Sequence, residues 1–109
     1  MQDVLERIYA TIVSRKESAP TQAGKKPSYV ASLFARGKNR ITQKVGEEAV
    51  ELVLAAAQNN RKEIISESTD LLFHLMVLLA AHEIKPEEIT AELLRREGIS
   101  GIREKAARR

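Results

Sequence analysis

The sequence predicts an all-α fold, an antiparallel helical bundle completed by homodimerisation, and three observations carry that prediction. Apolar residues recur every three or four positions along four separate segments, which is the spacing of one helix face. No segment alternates apolar and polar residues as a half-buried strand would. The stretch from Leu71 to Ala81 is apolar around nearly its whole circumference. One thin helical layer cannot cover such a helix; a second copy of the chain pairing with it is the expectation, and a central helix in a monomeric bundle is the alternative.

Each element follows from local pattern. Val4, Leu5, Ile8, Tyr9, Ile12 and Val13 fall on one stripe and predict a first helix over residues 2–15. The stretch "KESAPTQAGKKPS" then breaks the pattern with two prolines and a glycine, giving a loop over 16–27. Ser28 is placed to cap a short helix, "YVASLFA", that stops at Gly37. A long helix runs from Asn39 or Arg40 to Gln58, where the following asparagines supply a left-handed residue. Another spans Arg61 to His82, and a last one starts at Pro86, suited to a first helical position, and ends before Gly98. Residues 1–98 therefore form one domain and residues 99–109 a basic tail.

Composition narrows the function. At 109 residues the chain has the size of one domain with a modest core. It holds no cysteine, which excludes disulfides and thiolate metal sites. The segment "MQDVLERIYATIV" is charged and amphipathic, unlike a secretory signal, so the expected location is cytoplasmic. The apolar run at Leu71 to Ala81 falls short of the roughly 18 residues that span a bilayer and contains His74, so membrane association is not expected.

The net charge of +3 resides wholly in residues 99–109, leaving 14 basic and 14 acidic residues in the rest of the chain. Within that balanced body the charges segregate. From Ser18 to Gly46 there are six bases, Lys25, Lys26, Arg36, Lys38, Arg40 and Lys44, and no acid. This basic stretch leads directly into "KVGEEAVELV". The combination suits a metal-bound polyphosphate, which needs cations for its phosphates and carboxylates for its metal.

Helical spacing arranges the acids. Glu47 and Glu51 stand one turn apart, with Glu48 at i, i+3 from Glu51, and Glu67 and Asp70 repeat the i, i+3 spacing on the next long helix. The connection "NNRK" is short enough to force those two helices antiparallel and adjacent. Glu51 lies about as far before the connection as Glu67 lies after it, so the two acidic pairs face each other. Several carboxylates converging beside apolar residues must be neutralised by protons or cations. Oxygen ligands without Cys or a spaced His pair point to Mg²⁺ or Mn²⁺. Lys44, one turn before Glu47 and Glu48, is placed to reach a phosphate held there; Arg36, Lys38 and Arg40 are further candidates. His74 shares the stripe of Glu67 and Asp70, but its apolar neighbours assign it a neutral, structural role.

The segments "SYVASLFARG", "ITQKVGEEAVELVLAA", "ESTDLLFHLMVLL" and "ITAELLRREG" together resemble the phosphoribosyl-ATP pyrophosphatase family, within the all-α, MazG-like nucleotide pyrophosphohydrolases, from about Val4 to Gly98. The superfamily motif, E-x-x-E followed by E-x-x-D, is matched by Glu48 and Glu51, then Glu67 and Asp70, with Glu47 the additional glutamate. The resemblance implies a helical bundle of the all-α nucleoside triphosphate pyrophosphohydrolase type. The implied reaction is Mg²⁺-dependent hydrolysis of phosphoribosyl-ATP to the AMP derivative and pyrophosphate, the second step of histidine biosynthesis. It implies Glu48, Glu51, Glu67 and Asp70 as metal ligands, Glu47 as ligand or base, and substrate contacts from Ser28, Tyr29 and Ser32. Lys25 and Lys26, from their place in a Gly- and Pro-bearing loop, read either as part of a lid over the substrate or as part of a solvated loop.

Other readings keep their own signatures. The same acids would serve a pyrophosphohydrolase acting on a different nucleoside triphosphate. A di-iron bundle wants Glu-x-x-His where this chain has Glu67-x-x-Asp70. A non-catalytic helical adaptor, or a nucleic-acid binder using the tail, leaves the facing acids unexplained, since they repel phosphates without a metal.

Overall fold

A hairpin of two long helices organises the structure. The computed structural model describes residues 2–16 and 28–97. Five helices follow one another: α1 (Gln2–Lys16), α2 (Tyr29–Arg36), α3 (Lys38–Ala57), α4 (Arg61–Ala81) and α5 (Pro86–Arg96). No strand is present among the described residues. The fold class is all-α, as the periodicity predicts. The 16–27 loop, with the proposed lid lysines Lys25 and Lys26, lies outside the described residues apart from Lys16, as do Gly98 and the 99–109 tail.

The predicted ends hold because the capping chemistry is present. Ser28 accepts a hydrogen bond from the Ala31 backbone N–H at 2.9 Å and so begins α2. Gly37 ends it at φ 92°, a left-handed value that favours glycine, and the chain turns directly into α3. At the hairpin Asn59 takes φ 54°, and Asn60 Oδ1 accepts from the Glu63 N–H at 3.1 Å to start α4. Pro86 opens α5, whose Glu88 carboxylate accepts from the Lys85 backbone N–H at 2.8 Å.

The core sits at the C-terminal half of α4. Val77 is fully enclosed, and Ile12 of α1, Leu33 of α2 and Ile41 of α3 converge on the same cluster with Met76 and Leu79. Lys16 adds a polar tie, donating from Nζ to the Ala80 carbonyl at 3.0 Å while passing 5.7 Å from the Phe34 ring centroid. The other end of the hairpin is bare: from Val50 to Ser66 almost every residue is exposed. Val53 is 65 % exposed, Leu54 56 % and Ile65 57 %, and Leu93 and Leu94 on α5 are equally open. As a whole α4 has the length and hydropathy to cross a bilayer, but it runs here as the central helix, packed on α3 and α1 and carrying Glu67 and Asp70.

Candidate active site

The antiparallel register of α3 and α4 brings three carboxylates together at the middle of the hairpin. One oxygen each from Glu48, Glu67 and Asp70 lies within 4.8 Å of the others. Glu48 is the most enclosed, its side chain only 13 % exposed. Glu67 is half-buried and Asp70 exposed, so the cluster opens to solvent on the α4 side.

The electrostatics show what this cluster lacks. Burial pushes the Glu67 carboxyl above its ordinary value, and the charges of Glu51, Asp70, Glu48 and Glu63 push it further in the same direction. Glu67 Oε2 is buried and has no hydrogen-bond partner among the described residues. A buried acceptor without a donor there, beside two further carboxylates, is the complement of a cation. The donor set is all oxygen, so these residues fit a hard divalent ion such as Mg²⁺ or Mn²⁺.

Lys44 supplies positive charge at the rim. Its Nζ donates to Glu48 Oε1 at 3.1 Å. That hydrogen bond is the main reason its pKa lies above the ordinary lysine value; desolvation opposes the shift, and Tyr29, Glu48 and Glu47 add to it. Arg40, one turn earlier, donates from Nη1 to Glu47 at 3.2 Å, while its Nε is buried without a partner among the described residues. Lys44 and Arg40 thus follow the same face of α3 toward the carboxylates.

The remaining predicted site residues divide. Glu51 lies close enough to Glu67 to raise its pKa, but stays exposed and outside the group of three close oxygens. Glu47 is turned toward Arg40 rather than into the cluster. Its seven-residue spacing from Arg40, two turns on one face, is the signal by which that pair can be found in the sequence. Ser28 and Ser32 are engaged locally, Ser28 as the α2 cap and Ser32 donating to the Tyr29 carbonyl at 2.6 Å. Arg36 and Lys38 are exposed at the junction of α2 and α3 and make none of the contacts at the cluster. Tyr29 is half exposed, and its hydroxyl lies 2.8 Å from His74 Nε2. His74 is buried, with Nδ1 2.8 Å from the Asp70 carbonyl. It is hydrogen-bonded through both ring nitrogens, which keeps it off the ligand set and agrees with a structural role.

Comparison with known sequences gives this arrangement a family. The sequence model described as phosphoribosyl-ATP pyrophosphohydrolase matches residues 5–97, which takes in α2 to α5, all but the first three residues of α1, and the whole acidic face. A phosphoribosyl-ATP pyrophosphatase from Gluconobacter oxydans is 50 % identical over 105 residues, covering 96 % of this chain and 75 % of that protein. Its counterpart from Novosphingobium aromaticivorans is 51 % identical over 97 % of this chain and 94 % of its own length. The one from Rhizorhabdus wittichii is 49 % identical over 99 % and 97 %. With the family model matching most of the chain and relatives near half identity end to end, this chain belongs to the phosphoribosyl-ATP pyrophosphohydrolase family.

Proposed function

We propose that the protein hydrolyses phosphoribosyl-ATP between its α- and β-phosphates, releasing pyrophosphate and phosphoribosyl-AMP, as the second step of histidine biosynthesis in the cytoplasm. The observation that carries the reading is the Glu48, Glu67, Asp70 cluster with its unpartnered buried oxygen, in a chain of this family. A pyrophosphohydrolase for another nucleoside triphosphate would use the same carboxylates; the names of the relatives favour phosphoribosyl-ATP.

In this reading Glu48, Glu67 and Asp70 hold Mg²⁺, with Glu51 completing the acidic face. When bound, the ion offsets phosphate charge and makes coordinated water more acidic. The chain's own residues supply position and complementary charge. Lys44 shares its ammonium between Glu48 and a phosphate oxygen, and Arg40, held by Glu47, extends the cationic rim. Water attacks the α-phosphorus, the bond to the α,β-bridging oxygen breaks, and pyrophosphate leaves with the electron pair. A carboxylate of the acidic face accepts the water's proton. Positioning and charge neutralisation carry most of the catalysis in such a displacement.

The domain of this enzyme spans residues 1–98, with 99–109 a basic appendage, and the working unit is a homodimer. What supports the dimer is the exposed apolar surface: Val53, Leu54 and Ile65 near the hairpin, Leu93 and Leu94 on α5, and a 210 Å³ cleft where Leu5 of α1, Leu72, Leu75, Met76 and Leu79 of α4 and Leu93 of α5 meet. Hydrolysis in ¹⁸O-labelled water tests the site of attack. Label in phosphoribosyl-AMP is the expected result, and label in the released phosphates would overturn it.

A further inference from the structure

Two residues beside the carboxylates form a contact that the reaction scheme above does not use. A carbonyl oxygen can only accept, so the 2.8 Å contact from His74 Nδ1 to the Asp70 carbonyl requires the proton on Nδ1. In the neutral ring Nε2 is then bare and can only accept, and the Tyr29 hydroxyl at 2.8 Å is its donor. Both nitrogens therefore have fixed roles. The ring plane is set by edge-on contacts with Phe73 and Tyr29, at centroid separations of 5.4 and 5.8 Å. Only 7 % of His74 is exposed, so both bonds are made by a buried ring.

The ends of this chain of contacts are informative. At one end is the turn of α4 that carries Asp70. At the other is Tyr29, the first residue of α2. The path thus joins the Asp70 turn of α4, which carries one of the three carboxylates, to the start of α2. Packing alone does not account for the hydroxyl: the Tyr29 side chain is half exposed, where a phenol ordinarily meets water.

We propose that Tyr29 and His74 are positioning residues, a hydrogen-bonded bridge from α2 to the Asp70 turn of α4 that sets the geometry of the carboxylate trio for its cation. The proposal rests on reading that trio as the metal site. Outer partners of ligand-bearing groups act in this way elsewhere, and losing one costs roughly 10- to 100-fold in metal affinity or activity.

The test reads cation binding without turnover. Mn²⁺ is titrated into the free protein and followed by electron paramagnetic resonance for the unaltered chain, Tyr29→Phe, His74→Ala, the double variant and His74→Gln. The bridge predicts that Tyr29→Phe and His74→Ala each weaken Mn²⁺ binding by about tenfold or more. The double variant should bind no more weakly than the worse single one, because both remove the same link. His74→Gln, whose side-chain oxygen can accept from Tyr29, should recover part of the loss. Mn²⁺ affinity of Tyr29→Phe within about twofold of the unaltered chain, or additive losses in the double variant, would overturn the bridge. So would ¹⁵N NMR of the unaltered chain showing the His74 proton on Nε2, a result that depends on no variant. Mn²⁺ bound at the trio with no hydrolysis of phosphoribosyl-ATP would sink the proposed reaction and leave the bridge standing. Mn²⁺ binding that Glu67→Gln does not weaken would remove the bridge with the metal site itself.

Discussion

Lys44 donates from Nζ to Glu48 Oε1 at 3.1 Å, so the most enclosed carboxylate of the acidic cluster already faces one cation. A phosphate arriving at that cluster meets the same ammonium. Lys44→Ala should therefore weaken substrate use more than metal binding. A charge-assisted hydrogen bond is worth about 1.5–3 kcal/mol, so kcat/KM should fall roughly 10- to 100-fold. Steady-state kinetics at low substrate checks this, and an unchanged rate would remove Lys44 from the phosphate site.

Glu48→Gln and Asp70→Asn keep side-chain volume and hydrogen-bonding capacity while removing charge. Each should abolish turnover, with a loss beyond the roughly 10- to 100-fold typical of outer partners of a metal site. The helical circular dichroism and the oligomeric state should be retained, since neither residue belongs to the buried cluster around Val77. Full activity in either variant would refute the site.

Glu67 gives a pH signature. Burial and its acidic neighbours raise its pKa in the folded chain above the ordinary 4.5. The folded state then holds this proton more tightly than the unfolded state, so between 4.5 and the raised folded value stability falls as pH rises. In the metal-free protein the Glu67→Gln variant should lose this dependence, and so gain stability relative to the unaltered chain at neutral pH. Thermal melts in EDTA across about pH 4 to 8, a range that starts near the ordinary carboxylate value and runs above it, would show it. Added Mg²⁺ should reverse the ranking, because only the carboxylate binds the ion.

Much of this architecture was legible in the sequence, for identifiable reasons. Ser28, Gly37, Asn59, Asn60 and Pro86 mark helix ends because each carries local chemistry that needs no tertiary context. The short connection after α3 fixes the hairpin register, which is why Glu48, Glu67 and Asp70 can be expected to meet. What periodicity does not resolve is the direction of a side chain within its face. Glu47 and Glu48 are adjacent, yet Arg40 draws one aside and Lys44 accompanies the other. Ser32 lies beside Tyr29 in the segment that carries the family resemblance, but its hydroxyl is satisfied by the α2 backbone. The Tyr29 to His74 contact joins residues 45 positions apart and depends on how α2 lies against α4, which spacing along one helix cannot reveal.

The dimer prediction follows from exposed apolar side chains. Leu54 is 56 % exposed on a helix otherwise well packed against α4. Burying a leucine fully is worth about 1.5–3 kcal/mol, so Leu54→Asp at an interface should raise the dimer dissociation constant by at least roughly tenfold. Sedimentation velocity over a concentration series reads the shift. A dimer unchanged by Leu54→Asp would place the interface elsewhere.

The central claim is a divalent-cation site built for one substrate, and pyrophosphate release tests it most directly. Phosphoribosyl-ATP, ATP, dUTP and dCTP would each be offered with Mg²⁺ and with EDTA. The account predicts release from phosphoribosyl-ATP alone, abolished by EDTA. Release from the other triphosphates, or release that persists in EDTA, would contradict it.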